Sequence, residues 1–371
     1  MLAVVKCLCE DFILNLDDLE LMRRIDAQNM LAEIDGLPEQ LARAYEIGIS
    51  ETRLLKEDGF LRASRVVIAG MGGSAIGADL LSAYLADICP APVIVHRDYG
   101  LPAFAKGAET LVICSSHSGN TEETLDSFES ARKNGCRILV ICTGGELAKL
   151  ADENKIRRVS FEHAGQPRAA VGFSFGILLG IFVNLGLIPD QAEDVASAVA
   201  WMKRSQQHFR ADVVTVHNPA KRYAGQLMGR WVTVFGAGML VPVARRIKGQ
   251  INEHAKSVAN FDALPEADHN SLEGLTHPAE VLMPHAMNLF LRAPSDHPRN
   301  RVRIDLTKQT FMVEGTNTDF IDARGDTRLA HMWTMILFGD YMAYYLAIAY
   351  GVDPTPVARL VNFKVALKEK N

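Results

Sequence analysis

The chain has 371 residues, 48% of them hydrophobic and 22% charged, with a formal net charge of −5 at pH 7. That composition excludes a disordered chain, and a negative balance with no long run of Lys or Arg argues against nucleic acid as the main partner. The length exceeds that at which single hydrophobic cores stop growing, so two domains are expected.

The opening MLAVVKCLCEDFILNL is interrupted by Lys6, Glu10 and Asp11 and makes a poor signal peptide. The six cysteines (Cys7, Cys9, Cys89, Cys114, Cys136, Cys142) include no pair of CxxC motifs. Several fall in predicted strands, which points to a reducing, cytoplasmic setting. Residues 17–57 place Leu, Met and Ile at helical spacing, broken at Gly36-Leu37-Pro38, and predict two helices that wrap the first domain. Residues 65–69 predict a strand, GMGGSAIG (70–77) a glycine-rich turn and 75–86 a helix. Further strands are predicted at 92–96, 110–114 and 137–142. This alternation specifies a doubly wound parallel sheet that takes its ligand at the carboxyl ends of the strands.

Residues 115–125, SSHSGNTEETL, lie between the apolar 110–114 and a helix predicted over 122–133. Ser115, Ser116, Ser118 and Thr121 cluster there around Gly119. First-turn amides lack intrahelical partners and the helix dipole favours negative charge, so such a turn is an anion site, most commonly for phosphate. The plainer alternative is that Ser118 or Thr121 only caps the helix. The pattern SxSGxTxET after a strand resembles the phosphosugar-binding loop of the SIS (sugar isomerase) superfamily. That resemblance implies Ser116, Ser118 and Thr121 as side-chain phosphate ligands and leaves the role of His117 open. GMGGSAIG, with Asp98 after the second strand, also fits the spacing of a dinucleotide fingerprint. Clustered hydroxyls after the third strand have no use in a dinucleotide-binding half, so a sugar phosphate is favoured. In the SIS reading, Gly73 and Ser74 approach the sugar from the side opposite the phosphate.

Residues 169–189 are uncharged, with Gly172, Gly176 and Gly180 spaced by four. Flanking Arg168 and Asp190, and Ser174 and Asn184 within, favour a core helix over a membrane span. A domain boundary is expected near His208, giving domains at 1–208 and 209–371. Beyond it VTVFGAGMLVPVARRI (232–247) repeats the strand, Gly-x-Gly, helix order of 66–81, so the second domain is expected to duplicate the first without its phosphate loop. Strands are predicted at 280–290 and 309–313, a long helix at 328–350 and a terminal helix at 355–369.

Residues 245–275 are rich in functional groups and poor in periodicity. Glu253 and His269 stand there in two polar turns. A carboxylate base and an imidazole are what moving a proton between adjacent carbons and opening a sugar ring require. Taken alone, such a pair is more often solvated surface. His269, His277 and His285 recur at eight-residue spacing without an HxxxH or HxH pair, so no zinc site and no cofactor are expected. His254 is read as a neighbour of Glu253 on the opposite helix face rather than as a ligand.

GMGGSAIG, RDY (97–99), SHSGNTEET, PRAA (167–170), GAG, NEH, LPEADHN and DPTPV (353–357) together resemble the bifunctional phosphoglucose/phosphomannose isomerase family. The resemblance covers most of the chain beyond residue 60. It implies two SIS-type α/β domains and a metal-free aldose–ketose isomerase of glucose or mannose 6-phosphate and fructose 6-phosphate. In that family's pattern Glu253 is the proton-transferring base, His269 opens the ring, Arg168 steadies the enediolate and Lys364 is the C-terminal lysine of the site. Lys368, one turn on, competes for that last place. The resemblance further implies a homodimer in which His269 reaches the neighbouring site, with the glycine-spaced helix burying part of the contact. The alternative is a sugar-phosphate sensor, which needs the phosphate loop but no base; no helix-turn-helix is seen in the N-terminal region.

Overall fold

The structure, a computed structural model, describes residues 15–56, 60 and 63–370. The opening segment with Cys7 and Cys9 lies outside them. The helices are α1 (Leu19–Ile25), α2 (Met30–Asp35), α3 (Leu37–Glu51), α4 (Gly72–Leu85), α5 (Glu122–Lys133), α6 (Gly145–Glu153), α7 (Val171–Asn184), α8 (Ala192–Phe209), α9 (Pro219–Leu227), α10 (Val241–His254), α11 (Ala279–His285), α12 (Pro298–Val313), α13 (Arg328–Ala349) and α14 (Ala358–Lys368). The strands are β1 (Arg65–Ala69), β2 (Val93–His96), β3 (Thr110–Ser116), β4 (Arg137–Cys142), β5 (Arg158–Ser160), β6 (Trp231–Ala237), β7 (Ala259–Leu264), β8 (Ala286–Arg292) and β9 (Asn317–Asp322).

They form two parallel sheets, β2-β1-β3-β4-β5 and β7-β6-β8-β9. In the second sheet β6, β7, β8 and β9 take the places of β1, β2, β3 and β4, so the faint repeat in sequence is a repeat of topology. Both are α/β domains with helices against the sheets. In sheets of this kind the strand-to-helix turns at the carboxyl edge are the usual place for a ligand.

Three expectations change. Residues 17–57 hold three helices, because α1 ends at Ile25 and the Asp26 carboxylate, accepting from Met30 N at 2.7 Å and Leu31 N at 2.9 Å, starts α2 ahead of the Gly36 break. Residues 309–313 end α12, where Phe311 is buried while Met312 and Val313 point outward, and the strand follows as β9. Residues 280–285 are helical, with none of α11 buried, and β8 starts only at Ala286. The 245–275 segment is also more regular than its composition suggests, since it contains the end of α10 and all of β7.

α7 and α13 are buried along nearly their whole length and share one apolar core that runs through both domains, with Phe175 edge-on to Trp333 at 5.3 Å. The glycine stripe of α7 is consumed inside the chain. A methyl group on Gly180 would meet the Gly48 backbone at 2.7 Å, so α3 and α7 pack backbone to backbone. The expectation that this helix buries part of a subunit contact is therefore corrected. Among the described residues no helix is long and apolar enough to cross a membrane.

Candidate active site

β3 is buried to its last residue and delivers Ser116 to the carboxyl edge of the first sheet. Ser116 Oγ lies 2.9 Å from Thr121 Oγ1 and accepts from Gly119 N at 3.1 Å. Thr121 is the N-cap residue of α5, yet its hydroxyl makes no capping bond. Thr124 N donates to Thr121 O at 3.1 Å, and the Glu122 and Glu123 amides ahead of it are left open to an incoming acceptor. Exposed Ser118 accepts from Asn120 N at 3.2 Å. From the neighbouring turn, Ser74 Oγ accepts from His117 N at 3.2 Å. A Cβ on Gly73 would lie 2.3 Å from Pro167 O, so the absence of a side chain there lets the β1–α4 turn touch the segment carrying Arg168.

Arg168 sits in a 3-10 turn between β5 and α7 and is 5% exposed. Its Nη2 donates to Pro354 O at 2.8 Å and Thr355 O at 2.6 Å, and its Nη1 is 3.6 Å from Glu253 Oε2. Arg246, ion-paired at 2.7 Å with buried Asp340 of α13, donates to Arg168 O at 3.1 Å. A guanidinium buried this way is held by fixed acceptors, while burial pulls its pKa down and the Glu253 carboxylate opposes that. Glu253, one residue from the end of α10, is partly exposed, so its carboxylate is reachable from solvent with a fixed cation beside it.

Lys256, which sequence reasoning missed, completes this cluster. Its Nζ donates to Glu253 O at 2.7 Å and Pro354 O at 3.1 Å. Burial, and then the Arg168 charge, pull its pKa down to about 8. It lies just past the helix end with φ 54, a backbone state that no motif in the sequence signals. His254 turns inward as expected. It is fully buried, neither ring nitrogen has a hydrogen-bond partner among the described residues, and burial pushes its pKa well below the ordinary value, so it is neutral.

The two halves match known families separately. Residues 59–179 match the SIS domain, and 216–367 match the bacterial phospho-glucose isomerase C-terminal SIS domain. A bifunctional phosphoglucose/phosphomannose isomerase of Caldicellulosiruptor bescii is 39% identical over 92% of this chain and 99% of its own. The chain belongs to that isomerase family. A D-glucosamine-6-phosphate 4-epimerase of Sulfolobus acidocaldarius is 31% identical over 58% of this chain and 65% of its own. Among solved structures, the C-terminal domain of glucosamine-fructose-6-phosphate aminotransferase from Francisella tularensis superposes with a TM-score of 0.68, covering 88% of this chain and 98% of its own at 15% identity. That last likeness concerns the fold alone.

Two of the residues singled out by resemblance to the isomerase family stand apart in the structure. His269 ends a 3-10 turn after β7, is exposed, and its side chain makes no hydrogen bond or ion pair with a described residue. Its neighbour Asp268 is fixed instead, by Arg303 Nη1 at 2.8 Å and Thr307 Oγ1 at 2.7 Å. Lys364 and Lys368 lie on α14, which has no buried residue and exposes Leu360, Val361, Phe363 and Val365. Arg168 grips the chain at Pro354 and Thr355, just before α14 begins. Among the described residues no group of three His, Cys, Asp or Glu side chains is arranged to hold a metal ion.

Proposed function

We propose that the protein interconverts glucose 6-phosphate, mannose 6-phosphate or both with fructose 6-phosphate through a cis-enediolate. The observation that carries this reading is the Glu253 carboxylate 3.6 Å from the buried Arg168 guanidinium, on a segment joined through Gly73 to the Ser116–Thr121 loop. The phosphate sits on the hydroxyls of Ser116, Ser118 and Thr121 and the open amides of α5, and Gly73 and Ser74 border the sugar. Glu253 takes the proton from carbon 2 of the aldose and returns it to carbon 1. Arg168 faces the negative charge that develops on the enediolate oxygens, where a preoriented cation stabilises the transition state more than the substrate. Hydroxyls, amides and Arg168 do the work that a metal would do elsewhere, so EDTA is expected to leave activity unchanged.

In this reading residues 1–208 hold the phosphate and 209–371 supply the base, and the protein works in the cytoplasm on the hexose phosphates of glycolysis and gluconeogenesis. It is also a homodimer. His269 has no side-chain partner among the described residues and α14 leaves its apolar side chains uncovered, which a second copy satisfies by bringing His269, and Lys364 or Lys368, to the neighbouring Glu253.

The test is turnover of each aldose phosphate, followed by coupled detection of fructose 6-phosphate. Binding without turnover would favour a sugar-phosphate sensor, and inversion at carbon 4 would favour the epimerase chemistry of the partial relative. Mixing inactive Glu253→Gln and His269→Ala subunits is expected to restore activity. Hybrids that form and stay inactive would exclude shared sites.

A further inference from the structure

His117 stands in the middle of the phosphate loop, and phosphate binding by hydroxyls and amides does not account for it. Its carbonyl accepts from Thr143 N at 3.1 Å and Thr143 Oγ1 at 2.7 Å, which fixes the backbone. Its ring meets Phe161 edge-on at 5.8 Å, and its Nε2 lies 2.9 Å from His163 Nδ1. His163 Nε2 lies in turn 3.0 Å from Glu33 Oε2 on α2, and its ring meets Phe173 at 5.7 Å. Three segments remote in sequence therefore converge on one hydrogen-bonded line that ends in the loop.

The direction of that line follows from its far end. An ionised carboxylate only accepts, so His163 carries its proton on Nε2 and, when neutral, accepts at Nδ1. His117 then donates from Nε2 and keeps a lone pair on Nδ1. That atom has no hydrogen-bond partner among the described residues and is not sealed from solvent. Residues 115–125 contain no Lys or Arg but do contain Glu122 and Glu123. A dianion held there meets hydroxyls and amides, and the one base within the loop is His117.

We propose that Glu33, His163 and His117 form a proton relay that neutralises a phosphate dianion on Ser116 and Thr121. His117 takes one proton from solvent at Nδ1 and passes its Nε2 proton to His163 Nδ1. The positive charge comes to rest on His163, against the Glu33 carboxylate. One proton enters, none leaves and no bond to the sugar changes, so His117 and His163 are positioning residues. The relay rests on the reading of 115–125 as a phosphate site.

The empty loop is set the other way. Burial, and then His163, push the His117 pKa down to about 4, while Glu33 opposes them. The Glu33 carboxyl is itself held below its ordinary value by the hydrogen bond from His163. The other groups facing His117 are uncharged: the Ser74 hydroxyl from α4, Thr143 from the turn before α6, and Phe161 from the segment after β5. Glu122 and Glu123 lie on α5, and Glu146 on α6 is paired with Lys149. The incoming dianion supplies the attraction that the empty loop lacks.

Sorbitol 6-phosphate cannot isomerise and is a dianion at pH 7.5, because the second pKa of a phosphate ester is about 6. Calorimetric titration of the full-length protein in two buffers of different ionisation enthalpy is expected to show proton uptake approaching one per site. Nitrogen NMR is expected to show His117 passing from the neutral Nε2–H tautomer to a protonated pair with His163. His117→Gln keeps a donor toward His163 but cannot titrate, so the uptake should vanish and affinity fall about tenfold, the equivalent of one pKa unit. Glu33→Gln should lower the uptake without touching the loop, and it decides the matter if His117→Gln does not fold. Binding with no proton linkage, or equal uptake in wild type and Glu33→Gln, overturns the relay while the phosphate site stands. No binding at all overturns both.

Discussion

Two loops hold corresponding places in the two sheets: 117–121 after β3, and 293–297 after β8. Each leaves a central strand and enters a helix, but their donors end differently. In the second loop Asp296 Oδ2 accepts from Ala293 N at 2.7 Å, Ser295 Oγ lies 2.8 Å from His331 Nδ1, and the His297 ring caps α12 by accepting from Arg299 N at 3.2 Å. An internal carboxylate there takes the backbone donor that an external anion would need. In the first loop Thr121 caps nothing and α5 starts with open amides. The topology provides two equivalent seats, and the proposed anion site is the one whose helix begins with uncapped amides.

The comparison assigns chemistry to the second domain only through Glu253, so the largest effect is expected there. Glu253→Gln keeps the shape and removes the proton acceptor, and kcat should fall by about 10²-fold or more with KM little changed. Retention of more than about a tenth of wild-type turnover would exclude Glu253 as the base. The two seats are then separated by paired substitutions. Ser116→Ala with Thr121→Ala should raise KM for the sugar phosphate by roughly 10–100-fold, at about 1 kcal/mol for each lost hydrogen bond and more to a charged ligand. Ser295→Ala, at the corresponding seat, should leave KM where it is. Equal effects at both loops would break the comparison.

A smaller effect is expected at Lys256, whose pKa near 8 means that its charge is lost as pH rises through that value. The alkaline fall of kcat/KM should therefore begin near pH 8, and in Lys256→Met it should disappear at the expense of a severalfold lower plateau. A wild-type profile flat to pH 9.5 would remove Lys256 from the site.

Much of this was legible in the residues, and the parts that were not share a cause. The first sheet reads well because its strands are short apolar runs punctuated by Gly-rich and Ser-rich turns. Arg168 and Glu253 were found through motifs, and their closeness depends on a backbone contact at Gly73 that spacing alone does not encode. Residues 309–313 read as a strand because they end in the apolar run Phe311-Met312-Val313, although only Phe311 faces the core. Lys256 and the Glu33–His163–His117 line were invisible, since each arises from segments brought together by the fold. The glycine stripe of α7 was recognised as a packing face, but its partner α3 lies 132 residues away at the Gln40–Gly172 contact and cannot be read from periodicity.

The smallest expected effect concerns acid stability, and it has opposite signs in the two domains. Burial pushes the Asp296 pKa up to about 6, so the folded second loop binds a proton more readily than the unfolded chain. Its contribution to stability is present below the unfolded carboxyl pKa and is lost as pH rises through about 6. Glu33 behaves in reverse. Its folded pKa is depressed below 4.5, so its contribution is present above that value and is lost as pH falls further. Lowering the pH from 7 to 5 should therefore slow amide exchange at Ala293 and neighbouring loop residues, relative to intrinsic rates, by an amount on the order of 1 kcal/mol. The α2 segment around Glu33 should hold over that range and loosen only as the pH falls below 4.5. Asp296→Asn keeps an acceptor for Ala293 N while removing the titration, so its loop protection should be independent of pH between 5 and 7. If that variant keeps the wild-type pH response, the carboxylate does not fill the second seat, and the difference between the two loops needs another cause.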